Sequence, residues 1–167
     1  MEAKGPKILI LYFSFHHKNT EKIAKAMAEV LGADLLEITK ADPEMILNYD
    51  LIGFGSGIYA FSHHKSLFEF LKKLNPVQKK AFVFSTSGAP NGVIFHKKLK
   101  KELMKKGFEI IGEFNCPGFD TFGPFKIFGG INKGRPNESD IQKTKEFAKK
   151  ILKTYTLETF NQAKPTL

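Results

Sequence analysis

The chain has very little of several features that would define other classes of protein. It has 167 residues and a single cysteine, Cys116, so an internal disulfide is excluded and a reducing compartment is favoured. No apolar run approaches the roughly 20 residues that a membrane-spanning helix needs, and the first residues lack the pattern of a signal peptide. We therefore expect a soluble, cytoplasmic protein with one domain over residues 1–167.

Arginine is almost absent as well. The formal net charge is +9, yet Arg135 is the only arginine. Because base recognition and bidentate phosphate contacts favour arginine, this composition does not favour a nucleic-acid partner. The lysines recur at spacings typical of the outer face of a helix, which indicates a solvated surface. An acidic protein partner is the alternative interpretation.

Two familiar glycine-rich nucleotide motifs, Walker A and GxGxxG, are missing from the first loop. The first forty residues nevertheless predict an anion site. Residues 7–13 are typical of a buried strand, 14–20 form a short polar loop, and 21–31 predict a helix. Free backbone N–H groups and the positive end of the helix dipole converge at such a junction, which most often holds a phosphate.

The polar residues of this first loop are candidate phosphate ligands. They are Ser14, His16, His17, Lys18, Asn19 and Thr20. A simple capped turn, with Asn19 or Thr20 as the cap, is the alternative. The two histidines have no carboxylate nearby in sequence, so we predict no metal site here.

Strand-like and helical patterns alternate along the rest of the chain. The predicted strands cover 7–13, 33–38, 50–56, 80–85 and 108–114, and the predicted helices cover 21–31, 66–74, 93–106 and 138–153, the last capped by Asn137. This alternation predicts an α/β fold with three layers, in which a doubly wound, five-stranded parallel sheet is covered by helices on both faces.

Two further loops of the predicted sheet are small, polar and glycine-bearing. They follow the third and fourth strands, at residues 55–64 and 85–91. Ligands of such sheets bind beyond the carboxyl ends of the strands, where the strand order reverses. Three loops of this type at one end predict a single ligand site more strongly than any one alone.

The first strand, the loop 14–20 and the run from Thr20 to Ala24, which matches a Thr-x-x-x-Ala helix entry, resemble the flavodoxin-like family of FMN-binding proteins. The resemblance implies strand order 2-1-3-4-5, with the FMN phosphate at 14–20. It also implies that the other two loops flank the flavin ring. Their candidate residues are Ser56, Gly57, Ile58, Tyr59 and Ala60 in the second, and Ser85, Thr86, Ser87, Gly88 and Ala89 in the third.

Tyr59 and Phe61 are the candidates to stack on the ring, although Tyr59 is equally typical of a core residue. The third loop has a plain strand-to-helix turn as its alternative. Two departures from the family pattern concern the first loop. Lys18 occupies a position that is usually small, often glycine, and the loop is one residue longer than in ordinary flavodoxins.

The resemblance implies electron transfer through the bound flavin, with a redox partner protein or a small acceptor. An FMN-dependent reductase of a small acceptor such as a quinone is one alternative, and a flavin-free binding module is another. A peptide flip beside the flavin, which stabilises the semiquinone, needs a residue that tolerates positive φ. Ile58, Tyr59 and Ala60 are disfavoured there, so we expect little semiquinone.

Residues 116–137 form a long segment without helical or strand period. Loops of this length in a compact domain are usually functional or disordered, and the phenylalanines at 119, 122, 125 and 128 argue against disorder. We expect an ordered lid or wall beside the flavin, with a homodimer contact as a further role. A loop packed on the core for stability alone is the alternative. For Cys116 we predict a structural role.

Overall fold

Strands and amphipathic helices alternate along the chain in the structure. The computed structural model describes residues 5–15 and 17–163. Its strands are β1 (Ile8–Phe13), β2 (Asp34–Glu37), β3 (Leu51–Tyr59), β4 (Ser62–His63), β5 (Lys79–Ser87) and β6 (Phe108–Pro117), and its helices are α1 (Asn19–Leu31), α2 (Lys65–Lys73), α3 (Lys97–Lys105) and α4 (Glu138–Gln162).

The five longer strands are parallel and lie in the order β2-β1-β3-β5-β6, while β4 pairs antiparallel with the end of β3. Since β5 and β6 are the predicted fourth and fifth strands, the expected order 2-1-3-4-5 is confirmed. The order reverses at β1, whose neighbours are β2 and β3. We therefore expect the ligand end of the sheet to be where β1 and β3 finish.

Alternate residues of β1 supply the two hydrophobic cores. Ile8 and Ile10 face α1 and α4, whereas Leu9 and Leu11 face α2 and α3. All four side chains are fully buried or nearly so. Burial on both faces explains why the strand is apolar throughout instead of alternating.

Several predicted boundaries are wrong at the ligand end. β3 continues to Tyr59, because Gly57 pairs with Thr86 and the last two residues pair with β4. β5 continues to Ser87, which pairs with Pro117 of β6. Small polar residues that predicted loops thus extend two strands. The predicted helix 93–106 divides into a 3₁₀ turn at Gly92–His96 and α3.

Helix α4 is longer than predicted and reaches Gln162. Its start is as predicted. The Asn137 side chain accepts a hydrogen bond from the Asp140 N–H at 3.0 Å, and the Asp140 carboxylate accepts one from the Asn137 N–H at 2.8 Å. This reciprocal capping box fixes where the chain enters the helix. Over residues 5–15 and 17–163, no helix combines the length and apolarity needed to cross a bilayer.

Candidate functional site

The carboxyl ends of β1, β3 and β5 bring the three predicted loops to one end of the sheet. In the first loop, His17 and Lys18 both have φ of 53°, and α1 begins at Asn19, two residues before the predicted start. His16 lies outside the described residues. The left-handed conformation explains why a small residue or glycine suits position 18 better than lysine.

Helix α1 is not capped by Asn19 or Thr20, as the alternative interpretation had it. Lys18 holds the N-cap position without a side-chain cap, and Ser14 Oγ accepts a hydrogen bond from the Glu21 N–H at 3.3 Å. Ser14 therefore satisfies one of the free amides from seven residues upstream. The hydroxyl proton of Ser14 remains free to donate to an anion beside the helix.

Thr20 is buried, and its hydroxyl lies 2.8 Å from that of Thr86, at the end of β5. Two hydroxyls that share one hydrogen bond keep a second proton for another acceptor. Neighbouring Asn19 is also buried, and its Nδ2 donates to the Phe119 carbonyl at 2.8 Å. The structure thus joins the first loop to the third loop and to the segment after β6.

The second loop is a tight hairpin instead of an open loop. Ile58 pairs with His63 and Tyr59 with Ser62, and the turn between them has Ala60 at φ 46° and Phe61 at φ 64°. The expectation that Ala60 avoids positive φ is therefore wrong. Antiparallel pairing imposes this turn, because tight hairpins require left-handed central residues.

The two aromatic candidates of this hairpin differ in exposure. A Cβ placed on Gly57 would lie 3.0 Å from the Tyr59 hydroxyl, and the Tyr59 ring meets His64 edge-on at 5.3 Å between centroids. Phe61 is 80% exposed. Phe61 is the more accessible of the two to a flat ligand, while half-buried Tyr59 packs along the strand.

The hydroxyls of the third loop point mainly into the protein. Ser85 and Ser87 both donate to the Asn115 side-chain oxygen, at 2.9 and 3.0 Å. Ser87 Oγ also lies 3.0 Å from the Ala89 carbonyl. The Thr86 hydroxyl and the backbone groups of Gly88 and Ala89, and not the two serine hydroxyls, are then the polar groups that the loop can offer to a ligand.

Two buried histidines, which the sequence analysis missed, anchor the second and third loops. His63 Nδ1 lies 3.0 Å from Ser56 Oγ, and His96 Nε2 lies 2.7 Å from Ser85 Oγ. The rings are 5.0 Å apart, between centroids. Burial lowers the pKa of His63 well below its usual value, with neighbouring His96 adding to the effect. Burial also lowers the pKa of His96, against the opposing charge of Glu113.

Three buried side-chain polar atoms lack a hydrogen-bond partner in the described residues, and all belong to the first two loops. They are Asn19 Oδ1, Ser62 Oγ and His63 Nε2. An unsatisfied buried polar group costs about 1–3 kcal/mol, so such groups rarely persist without a purpose. Their concentration at this end of the sheet is consistent with a polar ligand that completes the network.

The segment after β6 consists of a neck and a tip. The neck, residues 118–121 and 130–135, is closed by paired backbone hydrogen bonds between Asp120 and Ile131, at 3.0 and 2.8 Å. Asn132 Nδ2 donates to the Gly88 carbonyl at 3.1 Å, and Thr121 Oγ1 lies 3.1 Å from His17 Nε2. The neck therefore borders the first and third loops.

The tip, residues 122–128, differs from the neck in its exposure to solvent. Phe122, Ile127 and Phe128 are exposed, so the tip is not packed over the core as the stability-only interpretation required. Cys116, where the segment leaves β6, is buried, and its burial raises the pKa of the thiol to about 12. This protonated thiol fits the predicted structural role.

Two surface grooves lie away from this site. One runs between α1 and α4, beside Lys22 and Ile141, and the other lies at the opposite end of the sheet, beside Asp50 and Lys80. At the candidate site, Gly88 packs against Asp120 and Ile131, where a Cβ would come within 3 Å. The backbone of the third loop and that of the neck therefore lie close together beside the converging polar groups of the site.

Sequence reasoning located the three loops but not the groups that hold them. It missed His63, His96, Asn115 and Asn132. In sequence, two histidines in polar stretches and two asparagines near turns look like surface residues. Only the His63–His64 pair could have been identified, because it lies within the predicted ligand loop 55–64.

Comparison with known proteins is consistent with this geometry. The flavodoxin domain family matches residues 9–117. An uncharacterized protein of Methanocaldococcus jannaschii is 62% identical over 148 residues, which cover 88% of this chain and 99% of that protein.

Solved structures show the same fold at low identity. A flavodoxin from the domain Archaea is 13% identical with a TM-score of 0.65, covering 90% of this chain and 99% of its own. Oxidised Flavodoxin 2 from Bacillus cereus is 23% identical, also with a TM-score of 0.65, over 88% and 98%. Rubredoxin oxygen:oxidoreductase from Desulfovibrio gigas is 18% identical with a TM-score of 0.65, over 92% of this chain but 37% of that one.

Proposed function

This chain belongs to the flavodoxin domain family, and we propose that it binds FMN at the carboxyl end of its sheet and transfers electrons in the cytoplasm. Membership of the family implies a flavin cofactor. A bound flavin supplies the redox chemistry, and the protein controls its orientation and its access to partners.

The first loop fits the phosphate end of the cofactor. The amides at the start of α1 point toward the loop, with the positive end of the helix dipole behind them. Ser14 and the Thr20–Thr86 pair each keep a hydroxyl proton that can be donated to a phosphate oxygen. Ser14, Thr20 and the α1 amides would therefore hold the phosphate.

The polar atoms without partners carry the proposal. Asn19 Oδ1 is a buried acceptor beside the first loop, which a hydroxyl of a sugar-like chain would satisfy. His63 Nε2 is a buried atom without a partner at the second loop, on a ring whose Nδ1 lies 3.0 Å from Ser56 Oγ, and a polar group of the flavin ring would satisfy it. The pattern from phosphate to polyol to ring matches FMN, which has one phosphate.

The test is the flavin content and specificity of the purified chain. We expect a yellow protein that releases FMN on denaturation, and an apoprotein that takes up FMN more tightly than riboflavin or FAD. Fluorescence quenching of added flavin measures each affinity. A protein that carries FAD or a nicotinamide nucleotide, or that fails to bind FMN at micromolar concentration, would contradict the proposal.

A reductase that acts on a small acceptor such as a quinone is the second candidate. The neck of the segment after β6 favours it, because Asn132 and Thr121 build a wall beside the first and third loops. Such a wall gives a small molecule a place to bind. Steady oxidation of NADH or NADPH by the FMN-loaded protein with a quinone, which a pure carrier would not catalyse, measures this activity.

A further inference from the structure

The tip of the segment after β6 is an apolar patch in contact with solvent. Phe122 is 71% exposed, Ile127 82% and Phe128 84%, and Phe125 is also exposed, although less so. A buried aromatic side chain contributes about 150–250 Å², so these four leave several hundred Å² of apolar surface in seven residues. Patches of that size on a monomer usually mark an interaction site.

The tip is held in a defined conformation. A 3₁₀ turn covers Gly123–Lys126, the Gly130 N–H donates to the Phe125 carbonyl at 2.7 Å, and the Phe122 N–H donates to the Asp120 carboxylate at 2.8 Å. The Asp120–Ile131 backbone bonds close the base. The apolar side chains therefore project from a closed loop and are not part of an unfolded stretch.

The face around the tip is strongly cationic. The four connections at the carboxyl end of the sheet, residues 14–20, 60–65, 88–98 and 117–137, contain one acid, Asp120. Their cations are Lys18, Lys65, Lys97, Lys98, Lys126, Lys133 and Arg135. Lys18 lies near Glu21 and Arg135 is paired with Asp140. The other five are exposed lysines without an ion-pair partner in the described part of the chain.

The kind of cation indicates the kind of partner. Recognition of carboxylates in a protein interface favours arginine, whose fork makes paired hydrogen bonds, and lysine is depleted at interface cores. The one arginine here is occupied by Asp140. Lysines around a convex Phe and Ile tip are instead typical of a surface that binds anionic lipid. A second copy of the chain would place two cationic faces together.

We propose that the carboxyl-end face of this protein binds the surface of an anionic membrane. The tip, residues 122–128, enters the headgroup region with its apolar side chains, and Lys126, Lys133 and the lysines of the neighbouring loops lie over the anionic headgroups. The proposal does not depend on FMN, but the same face holds the candidate flavin site.

Tryptophan emission gives a direct test, because the chain has no tryptophan. In Phe128→Trp, the single indole should shift to shorter wavelength with vesicles of phosphatidylcholine and phosphatidylglycerol, and not with phosphatidylcholine alone. The matched control is Leu47→Trp, since Leu47 is 63% exposed at the opposite end of the sheet. Its emission should stay unchanged. An equal shift in both variants, or none in Phe128→Trp, would overturn the proposal.

Co-sedimentation of the full chain with the same vesicles separates the apolar and charged contributions. The variant Phe122→Ser/Ile127→Ser/Phe128→Ser should lose at least about tenfold in binding, whereas Leu47→Ser/Met104→Ser, which removes exposed apolar side chains elsewhere, should bind like the natural chain. Lys126→Gln should lose about fivefold. Circular dichroism checks that each variant is folded.

An acidic protein partner is the competing outcome. If the tip variant binds vesicles as well as the natural chain does, or if soluble polyglutamate abolishes vesicle binding of the natural chain in stoichiometric amounts, the face recognises acidic charge alone and the membrane proposal is wrong. Retention of binding in the presence of polyglutamate, together with the shift in Phe128→Trp, supports it.

Discussion

The two ends of the parallel sheet differ in how their charged and polar groups are paired. At the amino end, Lys80 makes ion pairs with Glu109 at 2.6 Å and Glu158 at 2.8 Å, and the Asp50 carboxylate accepts a hydrogen bond from the Lys7 N–H at 2.7 Å. At the carboxyl end, three buried polar atoms have no partner in the described residues, and five exposed lysines make no ion pair there.

This difference assigns stability to one end of the sheet and the proposed function to the other. At the amino end, the charges of Lys80 and Asp50 are compensated by groups of the protein itself. Groups at the carboxyl end are left incomplete, which costs stability unless a ligand or a surface completes them. The predictions below test this contrast, from the largest expected effect to the smallest.

Removing two hydroxyls at the carboxyl end should weaken FMN binding most. Ser14→Ala with Thr20→Ala removes two donors to a charged group, each worth about 1.5–3 kcal/mol. FMN affinity should fall by about two orders of magnitude or more, and riboflavin affinity by less. Fluorescence titration with both flavins measures the difference. Thr156→Ala, which removes a hydroxyl on the exposed side of α4, is the control, and equal losses for both flavins would show that the loop holds no phosphate.

At the amino end the main loss should be in stability. Lys80→Met removes the cation shared by Glu109 and Glu158, and we expect the free energy of unfolding to fall by about 2 kcal/mol. FMN affinity should not change. Urea unfolding measures the first and flavin titration the second.

The control for Lys80 is an exposed ion pair. Lys105→Met removes the surface pair with Glu102 and should cost less than about 1 kcal/mol. If Lys80→Met weakened FMN binding and left stability intact, the contrast between the two ends would not hold.

Acid should destabilise the protein through its buried histidines. The pKa of His63 and of His96 is lowered in the folded state, while an unfolded histidine titrates near pKa 6.5. Below about pH 6.5 the unfolded chain binds more protons than the folded protein. The free energy of unfolding therefore decreases as the pH is lowered, by about 1.4 kcal/mol per pH unit for each histidine that stays neutral in the folded protein. Above that pH these groups have no effect.

Urea unfolding at several pH values checks this slope. His63→Asn keeps a polar atom toward Ser56 but cannot titrate, so the variant should lose stability less steeply in acid than the natural chain. Glu113 lies 3.1 Å from His96 and opposes the lowering of its pKa, so His63 should carry the larger share. If the free energy of unfolding had the same pH dependence in both proteins, His63 would not contribute to the loss of stability in acid.

The smallest effect concerns the strained residue of the first loop. Lys18 has φ of 53° and a side chain that is 75% exposed. Lys18→Gly should raise the free energy of unfolding by up to about 1 kcal/mol, because glycine adopts this conformation without steric cost. Lys22→Gly, inside α1, should lower it by about the same amount. Thermal or urea unfolding measures the stability of both variants. If both were less stable than the natural chain, the positive φ of Lys18 would not be a source of strain.

The predictions that rest on residues close together in the sequence were the most accurate. The capping box at Asn137 and Asp140 was visible as a spacing, and the apolar runs identified each long strand. Expectations about loops were less accurate. Gly57 and Thr86 were predicted to lie beyond the strands because small polar residues are rare in strands, but they pair with each other and so remain in the sheet. Ala60 has positive φ because the hairpin requires it.

The sequence by itself determined the alternation of strands and helices, since periodicity, caps and strand-to-helix junctions are local properties. Its resemblance to the flavodoxin-like family implied the strand order that the structure confirms. The tertiary structure alone decided which polar groups are satisfied. Thr20 forms a hydrogen bond with Thr86, which is 66 positions away in sequence, and Asn19 forms one with Phe119, which is 100 positions away. It also decided that His63 and His96 are buried and that the tip is exposed, because burial depends on how elements pack and not on the residues next in the chain.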